Sequence, residues 1–176
     1  MLEFCYDCID KYLDRSDYQY MEMDTDSAYI ALAGDFEDLV KPELKEDFYK
    51  NYHKWFPRKD TPVNAARDIR TPGLFKVEFE GIGMVALCSK MYYVLGNGKD
   101  KFSCKGMQHS NNQNILNFET YKQVLFSGLH NTCTNRGFRF INKEIVTYEV
   151  NKSGLSPVYD KGVVMDDWNH IRPLDI

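Results

Sequence analysis

No apolar run in this 176-residue chain approaches the ~20 residues that a helix needs to cross a bilayer. The most apolar central stretch, 81–89, is short and broken by glycines. Met1 is followed directly by Leu2 and Glu3, with neither a basic leader nor a long hydrophobic segment, so nothing marks the chain for export. No second C-x-x-C accompanies Cys5 and Cys8, which argues against a zinc site. The five cysteines are odd in number, in a chain long enough to fold without cross-links, and read as reduced thiols of an intracellular protein. The four histidines are scattered, without H-x-x-x-H spacing or a neighbouring nucleophile, which removes histidine-based nucleophilic catalysis. Internal repeats and low-complexity segments are also lacking.

What is present is an uneven charge distribution. Residues 1–60 carry 15 acidic against 8 basic side chains, whereas residues 86–150 carry 4 against 8. An acidic early part suits a cation and a basic later part suits a polyanion; two solvated surfaces of opposite sign would give the same count. An apolar share of 43% and a charged share of 27% are those of an ordinary globular domain.

Leu2, Cys5, Tyr6, Ile9 and Leu13 fall at helical spacing and predict an amphipathic helix that opens almost at Met1, as though the chain began inside a larger fold. Strands are expected over 18–23 and 28–33, joined by the polar break Asp24-Thr25-Asp26-Ser27. A second helix is expected over 43–55 with Leu44, Phe48, Tyr52 and Trp55 as its apolar stripe. Pro57, Pro62 and Pro72 make 57–73 a loop. Alternation through Phe75, Val77 and Phe79 predicts a half-buried strand. A turn is expected at 81–83, strands at 84–87 and 91–95, and another turn at 96–98. A third helix over 115–128, two strands at 137–141 and 144–150, and an irregular tail complete the order. The fold class is α+β with mostly antiparallel pairing.

Asp24 and Asp26 flank one threonine at the hairpin tip, where the bend lets both carboxylates converge. Hard oxygen ligands so placed suit Mg²⁺, which takes one or two carboxylates and completes its shell with water and phosphate. Asp and Ser are also ordinary turn residues. An EF-hand is excluded, because Ala28 and Tyr29 stand where an oxygen ligand and a glycine are required.

The segment Tyr20-Met21-Glu22-Met23-Asp24-Thr25-Asp26-Ser27, behind an amphipathic helix, resembles the Y-x-D-T-D-S hairpin of family B DNA polymerases. Lys90-Met91-Tyr92 is similar to that family's K-x-Y element, and Lys105-Gly106 to the K-G element of its protein-primed members. Gly137-Phe138-Arg139, Tyr159-Asp160-Lys161 and the ending Pro173-Leu174-Asp175-Ile176 resemble the carboxy-terminus of protein-primed polymerases of virus-like mobile elements. Where that pattern has an arginine after Tyr-Asp-Lys, this chain has Gly162.

The resemblance implies late palm over 1–108 and thumb over 109–176. It gives Asp24 and Asp26 the catalytic metal, Mg²⁺ or Mn²⁺, with Tyr20, Thr25 and Ser27 supporting the hairpin. Lys90, Tyr92, Lys105 and Gly106 would hold the primer strand, a lysine beside an aromatic suiting phosphate and sugar or base. The implied partners are primer–template DNA, a deoxynucleoside triphosphate and the amino-terminal polymerase regions, with no membrane; the implied location is the nucleus or a viral replication site. The D-x-x-S-L-Y-P-S and K-x-x-x-N-S-x-Y-G elements and any exonuclease pattern are absent from this sequence, so the expected state is a fragment inactive alone. The rival expectations are a non-catalytic DNA-binding or interaction module derived from a polymerase, and a D-x-D nucleotide-sugar transferase.

Overall fold

The computed structural model describes residues 1–158, 162–166 and 171–173. The fold is α+β, and every strand pairing among the described residues is antiparallel. The chain forms two compact units, Met1–Glu80 and Gly81–Ile176. No helix among the described residues is long and apolar enough to cross a membrane.

The first unit opens with one helical run: α1 (Leu2–Phe4), a π turn over Cys5–Ile9 and α2 (Asp10–Tyr12). Its buried face is not the expected one. Leu2 and Tyr6 are exposed, while Phe4, Cys8 and Tyr12 join Cys5, Ile9 and Leu13 in the interior. Two columns at a strict spacing of four are therefore buried. A regular α-helix would let such columns drift around its axis, and the wider π turn in the middle counters that drift.

Strands β1 (Tyr18–Asp24) and β2 (Ser27–Leu32) form the expected hairpin, with Asp24 paired to Ser27. A register shift between Tyr20 and Glu22 bulges β1 just before the tip. A two-stranded ribbon is marginal alone; here Tyr18, Tyr20 and Ile30 lean on a core of Ile9, Tyr12, Phe48 and Trp55. A short 3-10 turn, Pro42–Leu44, leads into α3 (Lys45–Trp55), which buries Phe48 and Trp55 with Leu44 and Tyr52 packed beside them. That is the expected stripe.

Two expectations fail in this unit. The anticipated loop at 57–73 contains a helix, α4 (Pro62–Asp68), capped by Thr61, whose hydroxyl accepts from the Asn64 amide at 3.1 Å. Proline at the first helical position leaves no hydrogen bond unmade, so it starts this helix rather than preventing it. Conversely, no strand forms at 75–80. The Phe75 amide is taken by the Trp55 carbonyl at 2.7 Å and its ring stacks on Phe4 at 3.9 Å. An alternating pattern without a partner edge builds no ladder.

In the second unit β3 (Gly81–Cys88), β4 (Met91–Gly96) and β5 (Lys101–Cys104) make one sheet in that order. The turn expected at 81–83 is instead a bulged start of β3. Helix α5 (Phe118–Ser127) is capped by Asn117 and stopped by Gly128, whose φ of 69° is the left-handed conformation natural to glycine. It begins later than expected. Buried Tyr121 donates its hydroxyl to the Ser103 carbonyl at 2.9 Å, fixing α5 to β5.

β6 (Thr132–Ile141) and β7 (Glu144–Ser153) form a ribbon longer than the sequence suggests. Its turn, Asn142-Lys143, has positive φ at both residues, the handedness that matches strand twist. The tail contains a short pair, β8 (Gly162–Val164) with β9 (Ile171–Pro173). Tyr159, Asp160, Lys161, Leu174, Asp175 and Ile176 lie outside the described residues. Val85, Met91, Tyr93, Cys104, Tyr121, Cys133 and Leu155 share one core. The expected division at 108/109 runs through that core, and the compact units divide at 80/81.

Candidate functional site

The carboxylate hairpin is rooted by tyrosines. Tyr18 and Tyr20 meet edge to face at 5.5 Å, and both hydroxyls reach Asp10 of α2, that of Tyr20 at 3.2 Å and also 3.4 Å from the Cys5 carbonyl. Burial, then the Asp10 carboxylate, pushes the Tyr18 phenol up to about 12. Burial, followed by Cys5 and Asp10, likewise raises that of Tyr20. Both therefore stay protonated as donors, and Tyr20 ties the base of the hairpin to the helical run.

At the tip Asp24 ends β1 half-buried and Asp26 is exposed as the second residue of a two-residue turn. Thr25 has a φ of 29°, an uncomfortable conformation for a β-branched residue. Its hydroxyl lies 3.2 Å from Asp24 Oδ1, and the Ser27 hydroxyl donates to the Asp24 carbonyl at 3.3 Å. Thr25 and Ser27 thus bond to Asp24, through its side chain and its backbone. Two carboxylates match the hard-oxygen preference of Mg²⁺, but the donor set stops there: no group of three or more His, Cys, Asp or Glu side chains suited to a metal occurs among the described residues.

A second cluster lies at one end of the β3-β4-β5 sheet. Lys90 lies in the two-residue turn between Cys88 and Met91, with a left-handed φ of 64°. Its carbonyl accepts the Lys105 amide at 3.1 Å and the Ser103 hydroxyl at 2.9 Å. Tyr92, half-buried in β4, pairs with Ser103 and Ala86. The K-x-Y and K-G segments are therefore one place in the fold.

Gly106 follows with φ of 77°. A Cβ built on it would lie 3.3 Å from Lys152 Nζ, so a third lysine reaches this corner from β7. Asn135 of β6 donates to the Gly106 carbonyl at 2.8 Å, and buried Asn112 bonds both Gln108 and Thr134. These amides seal 105–112 against β6. Sequence reading did not find Lys152 or Asn135. Nothing local marks them, and only the β6–β7 register, which pairs Lys152 with Cys133, brings them in.

An open cleft of about 520 Å³ in the first unit is lined by Lys54, Arg58, Arg67 and Asp68 among others, and by neither tip aspartate. No disulfide links the five cysteines, and burial raises the Cys8 thiol to about 12, so that thiol is inert.

No family model, no curated protein and no solved structure matches the chain.

Proposed function

We propose that this chain is the late-palm and thumb portion of a family B, protein-primed DNA-directed DNA polymerase, which transfers a nucleotide from a deoxynucleoside triphosphate to a primer 3′-hydroxyl. The carrying observation is the hydrogen bond from the Lys105 amide to the Lys90 carbonyl, which gathers two separately spaced motifs at one sheet corner. Such convergence is what a primer-strand grip requires and what a nucleotide-sugar transferase has no use for.

On this reading Asp24 and Asp26 hold Mg²⁺ or Mn²⁺, which in the complete polymerase supplies electrostatic stabilisation of the transferring phosphoryl group. Thr25, Ser27 and Tyr20 keep the two carboxylates at the tip. Lys90 and Lys105 neutralise primer phosphates, Gly106 admits the strand closely, and the Tyr92 ring packs on sugar or base. The third carboxylate and the triphosphate-binding lysine belong to polymerase regions outside this sequence.

A polymerase-derived module that binds DNA without catalysis is the second reading, favoured by the ligand set that stops at two carboxylates. Salt-dependent binding of primer–template duplex tests the shared part. Each phosphate neutralised contributes a slope of roughly −0.9 in log K against log salt. Lys90→Ala with Lys105→Ala flattens the slope by up to about 2, and Tyr92→Phe leaves it unchanged. Equal flattening by Lys143→Ala, in the distant β6–β7 turn, would remove the primer-grip assignment. Templated incorporation by the isolated chain that vanishes in Asp26→Asn would overturn the fragment reading.

A further inference from the structure

We infer that Lys152 is a third phosphate-binding lysine of the sheet corner, its ammonium seated in the space that Gly106 leaves open. The inference rests on the polymerase reading for the identity of the strand, and on geometry alone for the seat. In the β6–β7 ribbon Lys152 pairs directly with Cys133, and directly paired residues share a face. That face turns inward. Cys133 is 2% exposed and belongs to the core of the second unit. Asn135, on the same face two residues along, donates to the Gly106 carbonyl at 2.8 Å. A lysine on the inward side of a ribbon ordinarily has a carboxylate to meet.

Lys152 has none. Among the described residues neither Lys152 nor Lys105 has an acidic partner. The three segments that meet at Gly106, residues 103–112, 131–136 and 150–156, contain no Asp or Glu. The nearest acid along β7, Glu149, stands on the other face of the ribbon, where Arg136 engages it at 2.6 Å. This corner therefore carries positive charge with no negative charge to offset it.

What Lys152 meets instead is a glycine. A Cβ at position 106 would stand 3.3 Å from Nζ, closer than such contacts ordinarily are, so the missing side chain is what lets the ammonium rest there. The φ of 77° at Gly106 favours glycine independently. Lys152 remains exposed, so its charge is open to a ligand. Lys105 is the chain neighbour of Gly106, and a strand that passes close to the glycine meets both cations. Two lysines without a counter-ion suit a polyanion, and a phosphodiester backbone offers its phosphates in series.

Salt-dependent binding of the full chain to primer–template duplex tests this. Lys152→Ala flattens the slope of log K against log salt by about 0.9, the share of one phosphate. Lys152→Arg keeps the slope and Lys152→Gln loses it. Gly106→Ala flattens it equally without removing a charge, because the new methyl displaces the ammonium; adding Lys152→Ala then changes nothing more. Urea unfolding shows whether Gly106→Ala folds, and if it does not, the Lys152 variants decide alone. A slope untouched by Lys152→Ala but flattened by Lys90→Ala with Lys105→Ala overturns the inference and leaves the polymerase reading standing. The reverse pattern removes the primer grip and retains Lys152 as a phosphate contact. Additive losses from Gly106→Ala and Lys152→Ala overturn the seat. Inorganic phosphate offers the same chemistry from another source, and the ¹⁵N-detected Gly106 amide distinguishes the two. A shift of that amide with duplex supports the strand; a shift with inorganic phosphate alone gives the site to a free anion and overturns the strand assignment.

Discussion

The Lys105 amide donates to the carbonyl of Lys90 at 3.1 Å, and Lys90 makes that carbonyl available by adopting a left-handed turn conformation. A lysine there bears a Cβ where glycine would be comfortable. Lys90→Gly is therefore expected to raise stability by about 1 kcal/mol while removing a charge, whereas Lys90→Ala removes the charge and keeps the strain. Urea unfolding of the two variants separates these effects; equal midpoints would mean that the turn is unstrained.

Gly81→Ala should destabilise the second unit. The added Cβ would fall 2.5 Å from Val94 Cγ1 and 2.6 Å from the Leu95 carbonyl oxygen, and a backbone atom cannot move aside as a side chain can. Overpacking of this kind costs about 1–3 kcal/mol. Thermal denaturation reads the loss; an unchanged midpoint would show that the bulge at the start of β3 relaxes freely.

Asp68 gives the first unit a pH signature. Hydrogen bonds from the Arg58 guanidinium at 2.7 and 2.9 Å, with the Arg58 amide at 3.1 Å, hold its carboxyl down to about 2 from an ordinary 3.8. A carboxyl lowered in the folded state stabilises fully above the unfolded value, and the benefit disappears as pH falls from 3.8 through about 2. The stability gap between the parent and Asp68→Asn should therefore narrow across that window and stay constant from pH 5 to 7. Denaturant midpoints measured through it decide; a gap of the same size at every pH would dismiss the ion pair as a stabilising element.

Asp24 and Asp26 should bind Mg²⁺ more weakly than the micromolar range of dedicated sensor sites, since two carboxylates without further ligands leave most of the shell to water. Titration calorimetry with Mg²⁺ and Mn²⁺ measures this. Micromolar binding that is lost in Asp24→Asn would show that the chain contributes ligands beyond these two.

What the sequence made legible was local. The hairpin at 24–27 follows from polar turn residues between apolar strands, and α3 follows from a stripe that recurs every three or four residues. Failures occurred where local and distant signals conflict. Thr61-Pro62 is a helix start, but three prolines in one stretch suggested a loop. Phe75, Val77 and Phe79 alternate as a strand would, yet a strand exists only where another offers its edge.

The candidate site divides in the same way. Asp24, Asp26, Lys90 and Lys105 stand out by residue type and spacing. Lys152 and Asn135 arrive through pairing across a ribbon that no nearby residue announces. The exposure of Phe138 and Phe140 was equally hidden, because alternation marks one face of a strand without saying whether anything covers it.

The π turn at Cys5–Ile9 has a consequence for how this chain tolerates insertions and deletions. The Asp10 amide reaches back five residues to the Cys5 carbonyl, so the helical run holds one residue more than an α-helix of the same hydrogen-bond ladder. Losing any one residue of that turn would not break the helix; it would repair it into a regular α-helix. The π turn spreads five residues over about the rotation that four α-helical residues make at about 100° each, so everything beyond the deletion would keep its facing relative to Phe4. Tyr12 and Leu13 would stay in the interior, and the Asp10 carboxylate would stay with Tyr18 and Tyr20. The base of the carboxylate hairpin therefore tolerates the loss of a residue at this turn, whereas a deletion in a regular stretch of helix would turn it away.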